Sequence, residues 1–181
     1  MKPRAYTSEG VVLARRNFGE ADRILVLYTK DFGKISLIAK GIRRPKSKKR
    51  GHVEVFNKVR FQASQGRGLD LMIEAEVIED FAEIRKSLRR ISLAYYLMEV
   101  TGRITHEGEE NINVYDLLLE TLTKLKSVKL LKKLRLDFIT ALLITLGYWP
   151  SSKPLMAPDE KLEEVIERQI YSKRVGKRMV E

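Results

Sequence analysis

The fold turns on the stretch Leu69-Asp70-Leu71-Met72-Ile73-Glu74-Ala75-Glu76-Val77-Ile78-Glu79-Asp80-Phe81-Ala82-Glu83-Ile84. Leu69, Leu71, Ile73, Ala75 and Val77 alternate with Asp70, Met72, Glu74, Glu76 and Ile78, the period of two expected of a half-buried strand. Past Glu79 the period changes. Phe81, Ile84, Leu88, Ile91, Tyr95 and Met98 fall three or four apart, as on one face of a helix. Asp80 with Glu83 three residues on predicts a capping box, with Asp in place of Ser or Thr. A strand-rich part therefore ends here and a helical part begins.

Toward the N-terminus the strand pattern continues back to about Tyr6. Asp22 to Lys30 is nearly all β-like, and Lys34 to Lys40 puts Ile35, Leu37 and Ala39 on one face. Val53, Val55, Val59, Phe61 and Ala63 predict a fourth strand, bulged near Asn57. Asp31-Phe32-Gly33 and Gly66-Arg67-Gly68 read as hairpin turns. Five short strands in so few residues predict a small barrel. Toward the C-terminus, Val114, Leu117, Leu118, Leu122 and Leu125 mark a second helix, with Asn113 as its expected cap. Leu131, Leu134, Phe138, Leu142 and Thr145 mark a third, the expected centre of a bundle, closed by Gly147 and Pro150. A fourth is predicted from about Ala157 to Ser172, opened by Pro158, Asp159 and Glu160. The fold class is thus α+β, with a barrel domain over 1–79 and a helical domain over 80–181.

Charge divides the chain in nearly the same place. Residues 1–68 hold 17 Lys and Arg against 5 Asp and Glu, a net of +12, whereas the whole chain of 181 residues carries only +11. All of the excess therefore lies in the barrel part, and a polyanion, nucleic acid first, is the expected partner. The densest run is Lys40-Gly41-Ile42-Arg43-Arg44-Pro45-Lys46-Ser47-Lys48-Lys49-Arg50, with no acid in it. Its glycine and proline argue for an extended loop that can reach several phosphates. A solvated run facing nothing and an import signal are the alternatives. Arg43, Arg44, Lys46, Lys48, Lys49 and Arg50 are the first candidates for phosphate contacts, with Lys40, Arg16 and Arg67 second. Among the aromatics, Tyr28 and Phe61 read as core. Phe18 and Phe32, in turns, are the better candidates for stacking on bases.

Other chemistry is poorly provided for. The chain has no cysteine, which excludes disulfides, thiolate zinc sites, Fe–S clusters and thiol nucleophiles. Only His52 and His106 offer imidazole, and His106 lies in a polar loop. Asp31-Phe32-Gly33 matches a kinase tripeptide without the rest of a kinase, and no P-loop exists. A nuclease would need clustered acids. The reading is a non-enzymatic binding protein with neither cofactor nor metal. The most apolar stretch, Phe138 to Trp149, is too short to span a bilayer, and no signal-peptide run follows Met1-Lys2-Pro3-Arg4. The expected location is cytoplasmic, away from any membrane.

Several blocks resemble the RecO family of bacterial recombination mediators. They are Gly10-Val11-Val12-Leu13, Gly19-Glu20-Ala21-Asp22-Arg23-Ile24 leading to Thr29 and Gly33, and Ala39-Lys40-Gly41-Ile42-Arg43-Arg44-Pro45-Lys46-Ser47. Ala75-Glu76-Val77, Tyr96-Leu97-Met98-Glu99, Tyr115-Asp116-Leu117-Leu118 and Leu146-Gly147-Tyr148-Trp149-Pro150 follow in family order. The resemblance implies an N-terminal OB-fold and a helical C-terminal domain. It implies binding of single- and double-stranded DNA, annealing of complementary strands, and work with RecR and single-stranded-DNA-binding protein to load RecA. Many family members carry a cysteine zinc site after the Gly-Tyr-x-Pro segment. Here Ser151-Ser152-Lys153-Pro154 follows, so the chain reads as a short form without that zinc. Its segment from Gly147 to Pro158 is then expected to be held by packing of Tyr148, Trp149, Leu155 and Met156. The competing reading is an RNA- or ribosome-associated OB-fold protein, since such barrels bind RNA as readily.

Overall fold

A fourteen-residue strand opens the barrel, long enough to pair with two neighbours in turn. In a computed structural model that describes residues 4–45, 47 and 51–166, this strand is β1, Ala5–Phe18. Its first half pairs with β4, Lys58–Ser64, and its second with β2, Asp22–Thr29. The switch between partners falls at Gly10, where an added Cβ would press on Tyr28 O and Thr29 Cγ2 at 3.1 Å. A bulge between Val12 and Ala14 then bends the strand. β3, Gly33–Ala39, and β5, Asp70–Glu79, complete a closed barrel in the order β1-β2-β3-β5-β4. Only the short β3–β5 contact is parallel. This is the five-stranded OB-fold architecture, its barrel closed by the two-residue β3–β5 contact.

The barrel core is the inward set of each strand, among them Tyr6, Leu25, Leu37, Val59, Phe61 and Met72. Burying each such side chain contributes about 1.5–3 kcal/mol before entropy is subtracted. Two strand expectations need correction. Val53 and Val55 are buried but precede β4, which starts only at Lys58. The chain there turns through Phe56 at φ 59°, and Val12 N–H to Asn57 O and Phe56 N–H to Val12 O tie it to the β1 bulge. In β5 the alternation breaks. Phe61 faces Ala75 and Ala63 faces Met72, so β5 carries an extra residue there, and a second lies between Val77 and Glu79. Met72 is therefore buried while Ile73 is 42% exposed, the reverse of the period-two reading.

Two compact units divide the chain, Met1–Asp80 with Thr105–Asn111, and Phe81–Ile104 with Ile112–Glu181. Thr105–Asn111 lies along β3 as a strap. Gly108 N–H donates to Lys34 O at 2.8 Å, Ser36 Oγ donates to Glu107 Oε1 at 2.5 Å, and Lys34 Nζ donates to Thr105 O. Gly33, at φ 60°, lets the strap approach, because an added Cβ would collide with Glu109 O. Burial holds the Lys34 amine below its ordinary pKa, against the pull of Glu107 and Glu109.

The helical unit comprises α1 Ala82–Arg85, α2 Leu88–Ile104, α3 Ile112–Leu125, α4 Leu131–Thr145 and α5 Pro158–Val165. The predicted first helix is thus two helices. Ile84 N–H to Phe81 O and Ser87 N–H to Ile84 O tighten and end α1. Its N-cap is Phe81, left-handed and without a side-chain capping bond, rather than the expected Asp80. Asn113 lies inside α3 rather than capping it. α4 packs against α2, α3 and α5, as expected of the central helix. It ends in a Schellman motif: Tyr148 N–H donates to Leu143 O, Gly147 N–H to Ile144 O, and Gly147 is at φ 79°. The predicted fourth helix lies outside the described residues beyond Ile166, as does the basic tail.

The segment after α4 is held only in part as expected, for Trp149 and Leu155 are half-buried. Met156 is 89% exposed, and Tyr148 is also exposed. Trp149 Nε1 instead donates to Lys153 O at 2.9 Å. Arg135 of α4, buried, makes a two-pronged bond to Asp159 of α5 at 2.6 and 3.0 Å, its guanidinium 5.6 Å from the centre of the Tyr96 ring. Among the described residues, no helix is long and apolar enough to cross a membrane.

Candidate nucleic-acid interface

Strand direction gathers the candidate residues. β1 ends at Phe18, β2 begins at Asp22 and β3 ends at Ala39, so the β1–β2 turn and the start of the basic loop lie at one end of the barrel. Arg16, Lys40, Arg43 and Arg44 are all exposed there. Their backbone is not loose. Ile42, fully buried, plugs the loop's start into the barrel core, and Val53 does the same beyond its end. Gly41 N–H donates to Asp22 Oδ1 at 2.7 Å, and Arg43 N–H donates to Ala21 O at 2.9 Å. The Arg43 guanidinium reaches Gly19 O at 3.4 Å. Arg44 N–H closes a turn on Gly41 O. The start of the loop is thus stapled to the β1–β2 turn, with Lys40, Arg43 and Arg44 on the outside.

Arg67 is also exposed but belongs elsewhere. The β4–β5 turn that carries it lies at the end where β1 starts, since Ala5 faces Ser64. Arg67 is therefore not brought together with the others. Lys46, Lys48, Lys49 and Arg50 lie outside the described residues. Arg23, outside the sequence candidates, sits in register with Ala39 and donates its Nε–H to Asn17 Oδ1 at 3.4 Å. Its signal is position alone, one rung from Lys40. Arg15, one residue from Arg16, is instead committed to Glu54 at 2.6 Å.

The two turn aromatics part ways. Phe32 packs edge-on against Tyr6, ring centroids 4.8 Å apart, and leans on the core. Phe18 is 49% exposed at the cationic end. Tyr28 and Phe61 are core residues, as expected. Tyr6 also donates its hydroxyl to Asp70 at 2.7 Å, and burial pushes its phenol pKa up. A surface of exposed guanidinium and ammonium groups can hold phosphates and displace their counterions.

Comparison with known proteins agrees with both halves. A family model described as "Recombination protein O N terminal" matches residues 1–81, and "Recombination protein O C terminal" matches residues 85–153. The chain is similar to the DNA repair protein RecO of Pelotomaculum thermopropionicum, 41% identical over 117 residues, which cover 65% of this chain and 46% of that one. It is 30% identical to the Roseiflexus protein of the same name over 168 residues, 93% of this chain and 59% of that one. With the Dehalococcoides mccartyi protein of that name from strain CBDB1 it shares 31% over 175 residues, 97% and 68%. The chain spans about half the length of the first of these relatives.

Proposed function

The chain belongs to the RecO family of DNA repair proteins, and from that premise we propose that it is a recombinational repair mediator. It binds single- and double-stranded DNA, promotes annealing, and assists RecA loading together with RecR and single-stranded-DNA-binding protein, in the cytoplasm. It does so without covalent catalysis. A cationic surface screens the repulsion between two phosphate backbones, and base pairing supplies the free energy of annealing. The barrel, over 1–79, is the DNA-binding domain, and the helical domain, over 80–181, is scaffold and partner platform.

The observation that carries this reading is the stapled loop, whose exposed Lys40, Arg43 and Arg44 share one barrel end with Arg16. Lys46, Lys48, Lys49 and Arg50 extend the same run in sequence. Each neutralised phosphate releases a counterion, so ~5 contacts on a single strand give a slope of log K against log salt of about −3.5. Replacing Arg43, Arg44, Lys48 and Lys49 with Ala should flatten that slope by roughly 3, alike for all sequences, since phosphate contacts carry no base information. A wild-type slope in a folded quadruple variant removes the loop from the interface. Parallel titration with RNA of equal sequence separates a DNA protein from an RNA-binding barrel.

A further inference from the structure

We propose, resting on the interface above, that Phe18 is a platform on which an unpaired nucleobase stacks, so that this barrel end prefers single strands to closed duplex. β1 and β2 stay paired up to the rung Phe18–Asp22, and Gly19, at φ 56°, then turns the chain. Strand alternation puts Phe18 on the same face as Arg16, two residues back. Across the turn, the Arg43 guanidinium bonds to Gly19 O, next to the aromatic residue. Cations therefore flank Phe18 along the strand and across the turn, and the bonds that pin Arg43 also pin the hairpin tip.

Phe18 makes no ring contact with another aromatic among the described residues, whereas Phe32 is taken up by Tyr6. A half-exposed ring between phosphate-binding cations offers what a single strand can use and a duplex cannot. Unpaired bases present their faces, while paired bases hide theirs in the stack. Stacking is sequence-tolerant because every base has a π-face. It releases no counterion, so it adds affinity without adding salt dependence.

The test uses the full chain, as wild type, Phe18→Leu and Phe18→Trp, with a single-stranded oligonucleotide carrying 2-aminopurine and a duplex of equal length. Leu keeps apolar volume and removes the π-face, and Trp restores it. Quenching of the probe is expected with wild type and Phe18→Trp, and its loss with Phe18→Leu. Single-strand affinity should fall roughly five- to hundredfold in Phe18→Leu, with the salt slope and duplex affinity unchanged. Equal affinity and equal quenching in Phe18→Leu overturn the proposal. An Arg43→Ala, Arg44→Ala variant read alongside shows which premise failed. If its slope falls while Phe18→Leu behaves as wild type, stacking alone is wrong. If its slope is also wild type, the interface lies elsewhere and both readings fall.

Discussion

The barrel and the helical unit handle charge in opposite ways. In the barrel, the ion pairs stay near the rim: Arg15 with Glu54, and Glu9 with Lys58 and Arg60, are all at least partly exposed. In the helical unit a guanidinium goes inside, with the Arg135 side chain only 3% exposed and bonded to Asp159. The difference follows from where backbone hydrogen bonds go. A closed barrel spends them between strands, so pairing itself sets the register of its parts. A helix spends them within itself, so α4 and α5 need a side-chain device to choose one packing. A barrel stabilised this way leaves its surface cations available to a ligand.

The sharpest way to break this contrast is to remove one partner of the buried pair. Asp159→Asn leaves Arg135 charged and uncompensated, which should cost about 3–5 kcal/mol. The loss should appear as a lower urea midpoint, with the salt slope of DNA binding unaltered. The double variant Arg135→Met with Asp159→Leu should recover most of it, because an apolar pair avoids the desolvation penalty. A negligible loss in Asp159→Asn would show that α5 is held by other contacts.

That pair marks what sequence could and could not show. Arg135 falls at helical spacing with Leu131, Phe138 and Leu142, so a charged residue in an apolar stripe was visible. Its partner, 24 residues on, was not, because only the folded chain brings α5 to α4. The barrel was legible because its strands alternate and its hairpins are short. The β5 face was misread before Ala75, at Met72 and Ile73, since a one-residue bulge inverts a period of two and leaves no mark in composition. The basic loop was visible by charge density. That Arg16 joins it and Arg67 does not depends on strand direction, which charge counting does not contain.

A smaller effect tests the strap on β3. Gly33→Ala imposes a side chain at φ 60° and drives it into Glu109 O, so a loss of about 1–3 kcal/mol is expected. Gly108→Ala, at φ 77° with nothing near its Cβ, carries the backbone strain alone. The difference in melting temperature between the two variants therefore measures the close approach of the strap. Equal melting temperatures would mean that the strap simply moves aside.

The smallest effect belongs to the exposed counterpart of the buried pair. Glu9 takes Arg60 Nη2 at 2.9 Å and Lys58 Nζ at 3.1 Å, while the Arg60 side chain is 59% exposed. The Arg60 hydrogen bond, helped by Lys58 and opposed by desolvation, holds the Glu9 carboxyl below its ordinary pKa. The folded state therefore gives up this proton more readily than the unfolded chain. The stabilisation is complete above the ordinary carboxylate value and is lost as pH falls through the lowered one. Glu9→Gln should cost about 0.2–1 kcal/mol at neutral pH, the range for solvent-exposed pairs. The difference from wild type should shrink in acid and in high salt, where an exposed pair is screened. Asp159→Asn should keep its large effect in high salt, because the Arg135 side chain is only 3% exposed. Urea titrations of both variants at low and high salt decide the matter. If Glu9→Gln costs as much as Asp159→Asn, or if salt weakens both effects equally, burial is not what separates the two units.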